Sequence, residues 1–517
     1  MENFNTVNSS LLLAAIFTPI LVGLILLIGR NLPRSFATGF ALTAFTLPAL
    51  IAVWFFLPCA DAYGSVTQYR QTNIWGFCFG LNGISLPLIA MTALVGLAAG
   101  IKALDQEVES RNSYLGLILF MLGGTLGVFG TNNIIGFYFF HEFALIPTFV
   151  LTLFWGGEGR RSAAMQMAIY LTVGAMLSLA GIVIAMQTVG LGIEDATFEQ
   201  LFLAFHQSQL PLPAATTALT LFGFGTLASL FPFHSWAAPG YSAAPTPVSM
   251  IHAGALKKFG LYGIIMIVAA TMKIGTGTLS HWFLWCAVAN VFIVGLICFA
   301  QRDLKQMLSW SSVAHMGPIF LGIWVCSTLG VAEGLDAAIF LMVAHGLSCA
   351  ALFLLANGVR ARTGTYRFDE LGGLARHTPV LAAFFIATSM ASIGLPGFGN
   401  FWGELGVFLS LRNQSFILQA FVASTVVISA IYALRAVASV FFGKVSATIE
   451  ARQAYAPIAD LNGAERTASV ILLSASLVIG FVPSLITHYT NPEAKALARI
   501  AQLKPFKAVP VQESQIK

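Results

Sequence analysis

The run SLLLAAIFTPILVGLILLIG, residues 10–29, contains no charged side chain. As an α-helix rising 1.5 Å per residue, it is about 30 Å long, which is the thickness of the hydrocarbon core of a bilayer. The first positive charges, Arg30 and Arg34, follow this run, whereas a secretory signal peptide carries its basic residues in front of the apolar segment. We therefore interpret residues 10–29 as a retained first membrane helix.

The whole chain has the composition of a membrane protein. Of its 517 residues, 57% are hydrophobic and 9% are charged, and the mean hydropathy is +0.82. A soluble domain carries about 25% charged residues, so a soluble enzyme or receptor is excluded. The net charge of +5 is not gathered into Lys/Arg runs, which excludes a nucleic-acid partner. The six cysteines form no CxxC or CxxxH pattern, so we expect no metal or iron–sulfur site.

Similar apolar segments recur along the chain and predict an all-α integral membrane protein of about fourteen transmembrane helices. Period-2 strand patterning is absent, and each spanning segment has to satisfy its own backbone hydrogen bonds. The predicted spans are residues 10–29, 36–57, 79–101, 114–130, 134–155, 163–187, 215–231, 248–270, 281–300, 307–326, 337–355, 379–411, 417–442 and 469–485. We expect one membrane domain, organised as helices 1–3 (10–113), two five-helix repeats (114–270 and 281–446), helix 14 (469–485) and a polar tail (486–517).

Two predicted helices are interrupted at matching places. The seventh runs into Pro232 and Pro239, and the twelfth contains Gly394-Leu395-Pro396-Gly397. Each is the fourth helix of its block of five, and an odd number of spans per block inverts the second block relative to the first. Broken helices at equivalent places in inverted repeats mark the ion pathway of secondary transporters. Kinks that only aid packing are the alternative interpretation.

Basic residues are distributed unevenly between the loops. The odd-numbered loops hold 15 Lys and Arg residues and the even-numbered loops hold three, Arg70, Lys273 and Arg412. The positive-inside rule then predicts that the odd loops are cytoplasmic and that both termini lie outside, in a bacterial cell membrane. Cys59 and Cys78 fall in one external loop, where a disulfide and two unpaired thiols are both compatible with the sequence.

The charges inside the predicted spans carry most of the functional information. A charged group at bilayer depth costs about 2.5 kcal/mol or more, so it is expected to face the bundle interior, a partner or water. We expect Glu142 and Glu404 to load and release protons, because the charge of a buried carboxyl responds to movement of a nearby cation. A carboxyl that only hydrogen-bonds a neighbouring helix is the structural alternative for Glu142. Arg435, near the end of its span, is expected to extend to the membrane surface.

Two adjacent lysines lie within the eighth predicted span. Lys258 can be charged or neutral in a buried environment, so we expect it to act as the central proton relay. Lys257 is about 100° further round the helix, so the two lysines are not expected to face the same partner. One is expected in the pathway, and the other at the membrane surface or against another subunit.

Histidines inside the predicted spans are further candidates for proton transfer. His315 and His345 lie mid-span and suit links in a proton wire, although a hydrogen-bonded packing role is equally compatible. His141 lies next to Glu142 on another face of the helix, and we expect it to pack or to contact a lipid or a neighbouring subunit.

Eight strings between about residues 130 and 445 carry a resemblance to a known family. They are FHE at 140–142 with Pro147, PFHSW at 232–236, APT at 244–246, AGALKK at 253–258, AQRDLK at 300–305, SVAHMG at 312–317, AHGLS at 344–348 and GLPGFGNFWGE at 394–404. In this order they resemble the M (chain 4) subunits of NADH–quinone oxidoreductase, respiratory complex I. These subunits are part of the wider proton-antiporter-like family that includes multisubunit cation/proton antiporters.

The resemblance implies a fold of fourteen helices with two inverted five-helix repeats, and a proton-translocating membrane subunit of NADH–quinone oxidoreductase. It implies no cofactor in this chain, with NAD, FMN, iron–sulfur clusters and quinone bound by other subunits, and it implies L-type and N-type antiporter-like subunits as partners. By position, Glu142 resembles the family's acid of the first half-channel, Lys258 its central lysine and Glu404 its terminal acid. His315 and His345 resemble the axis histidines between them.

One position departs from the family's pattern. Members usually carry a lysine a few residues before the PFH string, as the partner of the acid that corresponds to Glu142, and here Leu227 takes that place. Either Glu142 pairs with another group, such as a hydrated His234 or a neighbouring chain, or this half-channel transfers protons poorly. Two further interpretations stay open: a subunit of a multisubunit cation/proton antiporter or membrane-bound hydrogenase, and a non-pumping structural paralogue.

Overall fold

The computed structural model describes residues 2–56, 72–74, 76–192, 196–208, 214–272, 274–275 and 277–502. Nearly all of them are helical. The helices are α1 (Glu2–Ile28), α2 (Arg34–Phe55), α3 (Ser85–Asp105), α4 (Arg111–Gly130), α5 (Ile134–Trp155), α6 (Arg160–Thr188), α7 (Phe198–Ser208), α8 (Ala214–Leu227), α9 (Ala237–Ala243), α10 (Thr246–Met272), α11 (Thr278–Ala300), α12 (Leu304–Leu329), α13 (Ala332–Thr363), α14 (Pro379–Ser392), α15 (Gly399–Ser410), α16 (Phe416–Phe441), α17 (Ala447–Tyr455), α18 (Gly463–Phe481) and α19 (Ser484–Gln502). Strands β1 (Thr72–Ile74) and β2 (Phe77–Phe79) form one antiparallel hairpin.

Twelve helices of the described residues are long and apolar enough to cross a membrane, and the multi-pass prediction is confirmed at this level. They are α1 to α6, α10 to α13, α16 and α18. The seventh predicted span corresponds to the short helix α8, with α9 beyond its end, and the twelfth corresponds to α14 and α15 with a break between them. Helix α13 is the most enclosed: the most apolar part of this 32-residue helix is wholly buried, so α13 forms the centre of the bundle.

Both predicted interruptions are present. Helix α8 ends at Leu227, and the chain passes through Ser229, whose φ is 62°, before α9 begins at Ala237. Helix α14 ends at Ser392, and Gly394 (φ 74°) lies in the break before α15. A Cβ atom at position 394 would lie 2.6 Å from Oε2 of Glu404, so glycine allows both the turn and the approach of this carboxyl.

Helix boundaries follow local capping. The side chains of Asn133 and Asp303 accept the first free N–H groups of α5 and α12, from Gly136 at 3.0 Å and Gln306 at 2.8 Å. Asn462 and Glu465 form a reciprocal capping box at the start of α18.

Helix α10 contains a wide π turn over His252–Leu256, with a hydrogen bond from Lys257 N to His252 O at 3.1 Å. One extra residue per turn changes the direction of every side chain that follows, and such bulges are frequent at functional sites. The turn ends directly before Lys257 and Lys258.

The loops gather on two faces of the bundle. On the first, main-chain hydrogen bonds of 2.7–2.9 Å join odd-numbered loops, from Gly157 to Ala243, Leu304 to Tyr366 and Gly373 to Phe442. On the second, even-numbered loops are joined by bonds from Asn132 N to Cys78 O at 2.8 Å and Phe198 N to Asn132 O at 3.0 Å. We call these the odd face and the even face. Cys78 is a buried free thiol, and Cys59 lies outside the described residues.

Residues 484–502, part of the predicted polar tail, form the amphipathic helix α19. Its buried residues Ile486, Thr490, Ala494 and Ala498 recur every four positions, as one helix face requires. The helix lies against the even-face ends of α12 and α13, where Asn491 Nδ2 donates to Asp336 Oδ2 at 3.2 Å.

Candidate functional site

The adjacent lysines of α10 are both buried, Lys257 with 2% and Lys258 with 0% of its surface exposed. Lys258 Nζ donates to the main-chain oxygen of Ala253 at 3.0 Å and lies 3.1 Å from Nδ1 of His345. Lys257 Nζ donates to both Oγ and the main-chain oxygen of Ser312, at 2.6 and 2.7 Å. The lysines therefore have different partners, as predicted.

The prediction that one of the two lysines lies at the membrane surface or against another subunit does not hold. Both ammonium groups point into the chain, and Lys257 Nζ lies 5.4 Å from the ring centre of Tyr241. The π turn accounts for the burial of both lysines, because its extra residue rotates the side chains that follow it, beginning with Lys257.

A row of titratable side chains extends from Lys258 into the second half of the chain. The rings of His345 and His315 have centres 5.7 Å apart. His315 Nδ1 lies 3.5 Å from Oε1 of Glu404, and its Nε2 lies 3.1 Å from the hydroxyl of Tyr432. The structure thus brings together four residues that the sequence singled out, Lys258, His345, His315 and Glu404.

The carboxyl of Glu404 is buried without a hydrogen bond. Its side chain is 7% exposed, and neither oxygen has a hydrogen-bond partner in the described part of the chain. An unsatisfied buried polar group costs about 1–3 kcal/mol, and more when it is charged. The ionisable partner of this carboxyl is the imidazole of His315.

A small polar cavity of about 10 Å³ adjoins the row. It is lined by Ser311, Ser312, His345, Cys349 and Ser392 together with apolar side chains. This volume is about that of one water molecule, and the hydroxyl and imidazole groups supply the partners that a buried water needs. Two of its lining residues are contacts of the lysines: Ser312 accepts from Lys257, and His345 faces Lys258.

Glu142 is not part of this row, and of the three predicted surroundings, the bundle interior, a partner or water, it does not occupy the first. Its side chain is 45% exposed on the outer face of α5, beside the exposed Phe139 and Ile146. His141 points inward instead: it is 3% exposed and stacks on Phe259 with ring centres 3.8 Å apart. Neighbouring residues of a helix point about 100° apart, so packing of one ring against Phe259 turns the carboxyl outward.

Several polar residues of the interior carry no fixed formal charge, and the sequence patterns did not single them out. His252 is buried between Trp236 and Tyr241, with ring centres 5.6 and 5.2 Å away. Tyr432 bonds Ser311 at 2.8 Å as well as His315. The sequence signal for His252 is its place five residues before Lys257, in the string that carries both lysines.

The other sequence-predicted groups lie at the ends of helices or in the core. Arg435 donates to the main-chain oxygens of Phe299 and Gln301 on the odd face. Leu227, which stands where the resemblance implies a lysine, is 2% exposed and packs near Gly174. An apolar core residue therefore takes the place of that cation. Among the described residues, no group of three or more His, Cys, Asp or Glu side chains is arranged to hold a metal ion.

A second charged cluster lies on the odd face. Glu465 accepts from Lys102 Nζ at 3.1 Å and from Arg362 Nη2 at 2.7 Å, and all three side chains are at most 10% exposed. The three residues line a depression of about 890 Å³ together with Asp105 and Asp460. No sequence pattern indicates this cluster, because its members are distant along the chain.

Comparisons with known proteins agree with this architecture. Residues 131–447 match the family described as NADH:quinone oxidoreductase/Mrp antiporter, TM. The chain is 32% identical to NAD(P)H-quinone oxidoreductase chain 4 1 of Picosynechococcus sp. over 494 residues, which cover 92% of this chain and 89% of the relative.

Two solved structures have the same fold. A chain of respiratory complex I from Thermus thermophilus with bound NADH superposes with a TM-score of 0.81 at 27% identity, covering 95% of this chain and 99% of that one. A chain of the Mrp complex from Dietzia sp. gives 0.82 at 21% identity, covering 95% and 98%. The resemblance inferred from the motifs is confirmed: the chain belongs to the NADH:quinone oxidoreductase/Mrp antiporter family of transmembrane proteins.

Proposed function

We propose that this chain is a proton-translocating membrane subunit of NADH–quinone oxidoreductase, which couples electron transfer from NADH to quinone to proton movement across the membrane. The observation that carries the proposal is the buried row Lys258–His345–His315–Glu404. Buried ionisable groups in a membrane are costly and are retained where ions or protons move. Family membership and the chain 4 relatives support the same assignment.

The row can move a proton by short transfers. A charged Lys258 donates Nζ–H to Nδ1 of His345, whose other nitrogen then releases a proton towards His315. His315 accepts that proton at Nε2, the side that also faces the Tyr432 hydroxyl, and then passes its Nδ1 proton to Glu404. Each transfer moves one proton and leaves the donor ready to be reloaded, and a water in the gap between the imidazoles completes the path.

The broken helices support a pathway of this kind. Counting α8 with α9, and α14 with α15, as one crossing each gives fourteen crossings with the twelve continuous spans. We assign residues 114–270 and 281–446 to two inverted repeats, in which the breaks are equivalent. Each break runs from the buried interior to an exposed position, from Ser229 to Phe233 in the first and from Ser392 to Leu395 in the second. Irregular backbone of this kind lines ion pathways in secondary transporters.

We assign the odd face to the cytoplasm, because its loops hold most of the basic residues, and both termini to the outside of a bacterial plasma membrane. NAD, FMN, iron–sulfur clusters and quinone would bind to other subunits. The partners would be membrane-arm subunits of complex I, including L-type and N-type antiporter-like chains. One of them would cover the outer face of α5, because a carboxylate such as Glu142 is costly against lipid.

A non-pumping structural subunit is the second candidate. Leu227 and the outward position of Glu142 favour it, because the first half then lacks an internal ion pair. The Mrp likeness at 21% identity supports the fold and does not by itself favour an antiporter subunit.

Proton pumping by the purified complex in liposomes separates the two candidates. We would compare wild type with Lys258→Ala and Glu142→Gln, using Lys444→Ala at an exposed lysine as the matched control. If Lys258→Ala depresses pumping and coupled quinone reduction in an intact assembly, the chain is a pump. If pumping by an assembled Lys258→Ala complex equals that of wild type, the structural candidate is correct.

A further inference from the structure

The step between the two imidazoles of the row is the one that no hydrogen bond of the described residues joins. Lys258 Nζ lies 3.1 Å from His345, and His315 lies 3.5 Å from Glu404. The rings of His345 and His315 are related by a distance of 5.7 Å between their centres. Proton transfer needs groups within hydrogen-bond reach or one bridging water. Two hydroxyl side chains and a small cavity lie beside this step.

Tyr432 of α16 joins His315 to Ser311 of α12. Its hydroxyl lies 3.1 Å from Nε2 of His315 and 2.8 Å from Oγ of Ser311, and either hydroxyl can be the donor in the second contact. All three side chains belong to residues that are at most 4% exposed. A hydroxyl has one donor and two acceptor sites, so each can accept a proton from one neighbour while it gives its own to the other. The three groups therefore form a continuous chain for proton transfer.

Ser311 also borders the cavity that His345 lines. Both residues belong to the walls of this cavity of about 10 Å³, which has room for one water molecule. Ser309, in the same helix, shows the usual alternative for a buried serine, because its hydroxyl donates to the main-chain oxygen of Lys305 at 2.7 Å. In the described part of the chain, the hydroxyl of Ser311 makes no such main-chain bond. It is therefore available to the cavity on one side and to Tyr432 on the other.

We propose that Ser311 and Tyr432 carry the proton from the cavity to Nε2 of His315, and so connect the two imidazoles of the row. This relay deepens the proposed function and rests on it. Protonated His345 gives a proton to a water in the cavity, which gives one to Oγ of Ser311. Ser311 then gives its own proton to the phenol oxygen of Tyr432, which gives its own to Nε2 of His315. Every transfer breaks one N–H or O–H bond and forms one O–H or N–H bond, so the water and both hydroxyls end neutral.

A positioning role for Tyr432 alone is the alternative that the test has to separate. A phenol that only orients the imidazole needs its contact with His315, and the contact with Ser311 would then not matter for proton transfer. A relay needs both contacts, because the loss of either hydroxyl interrupts it. Variants of Ser311 therefore distinguish the two roles.

The test uses the assembled complex in liposomes and measures the rate of proton transfer coupled to quinone reduction. Ser311→Val and Ser311→Thr have nearly the same shape and differ by the hydroxyl, and the methyl groups of valine fill the space that a replacing water would need. We expect Ser311→Val and Tyr432→Phe each to lower the rate roughly tenfold or more, and Ser311→Thr to retain most of it. The double variant Ser311→Val/Tyr432→Phe should be no slower than either single variant, because one missing hydroxyl already interrupts the relay.

Two buried hydroxyls outside the relay supply matched controls. Tyr138 donates to Ser178 at 2.7 Å, so Tyr138→Phe breaks a buried tyrosine–serine pair in the first half of the chain. Ser309→Ala removes a buried hydroxyl from the helix that carries Ser311. Both variants should transfer protons at the wild-type rate.

The relay is wrong if Tyr432→Phe transfers protons like wild type, or if Ser311→Val and Ser311→Thr transfer them at the same rate. A slow Tyr432→Phe beside two equal serine variants would leave Tyr432 with the positioning role only. A wild-type rate for Lys258→Ala would instead refute the proposed function. If Lys258→Ala is inactive while Ser311→Val and Tyr432→Phe are active, only the relay fails.

Discussion

Nζ of Lys258 lies 3.1 Å from Nδ1 of His345, a contact between helices α10 and α13 across 87 positions of sequence. A charged lysine has donors only, so His345 accepts through Nδ1 and carries its own proton on the other nitrogen. That nitrogen is the one available to the His315 side. The pair therefore gives the row a direction, from the lysine towards Glu404, whenever Lys258 is charged.

Glu404→Gln should separate proton transfer from stability. The amide keeps the shape of the side chain but cannot be protonated, so we expect coupled proton transfer to fall roughly tenfold or more. The folded protein should be as stable as wild type or more stable by about 1 kcal/mol, because a buried carboxyl without hydrogen bonds is lost. Proton pumping and thermal unfolding of the purified complex measure the two effects. Glu450→Gln, at an exposed position, is the control, and unchanged pumping by Glu404→Gln would contradict the role.

Glu465→Ala should destabilise the odd face. It leaves Lys102 and Arg362 buried without their shared carboxylate, and removal of one partner from a buried ion cluster costs about 3–5 kcal/mol. Thermal unfolding in detergent measures the loss. Asp369→Asn, which breaks an exposed pair with Arg367, is the control and should leave the unfolding temperature unchanged. Equal unfolding temperatures for both variants would show that the cluster does not stabilise the fold.

Gly83→Ala should detach α19 from the bundle. A Cβ atom at this position would overlap the main-chain oxygen of Tyr489 and lie 2.9 Å from Cγ of Glu493, and main-chain atoms cannot move aside cheaply. We expect faster hydrogen exchange over residues 484–502 with little change elsewhere. Gly277→Ala is the matched control, because nothing lies within 4 Å of its Cβ position. Unchanged exchange in Gly83→Ala would mean that α19 docks differently.

The docking of α19 should depend on pH through Glu493. Burial raises the pKa of this carboxyl above its ordinary value near 4.5, although Gly83 N donates to it at 3.4 Å. A raised pKa in the folded state favours folding at low pH, and that contribution is lost as the pH rises through the raised pKa. Glu493→Gln should therefore slow hydrogen exchange over residues 484–502 at pH 7.5 and have no effect at pH 4. A larger effect at pH 4 would reverse the sign and contradict this account.

The apolar spans and their breaks were predictable from the sequence because both depend on local chemistry. An uncharged run of about twenty residues has few alternatives to a membrane helix, and the Gly394–Gly397 string interrupts a helix wherever it occurs. The site was predictable in part: Lys258, His315, His345 and Glu404 are expensive in a membrane, and they meet in the interior.

The direction of individual side chains was not predictable. The outward position of Glu142 depends on the stacking of His141 on Phe259, a contact between helices. The burial of Lys257 depends on a π turn, which has no signature in hydropathy or charge. His252 and Tyr432 carry no fixed formal charge, so the cost of burying a charge does not single them out although they lie among the buried groups.

Lys257 and Lys258 are consecutive residues, and neither has a carboxylate within 4 Å in the described part of the chain. Both Nζ atoms are buried beside residues that line the same cavity of about 10 Å³, Ser312 and His345, so two positive charges there would repel where little water screens them. We expect the pair to hold a single positive charge at a time. A second proton then cannot enter the region of the two lysines until the first has left it. The pair would therefore limit the chain to one proton in transit, whatever number the two halves of the chain can take up.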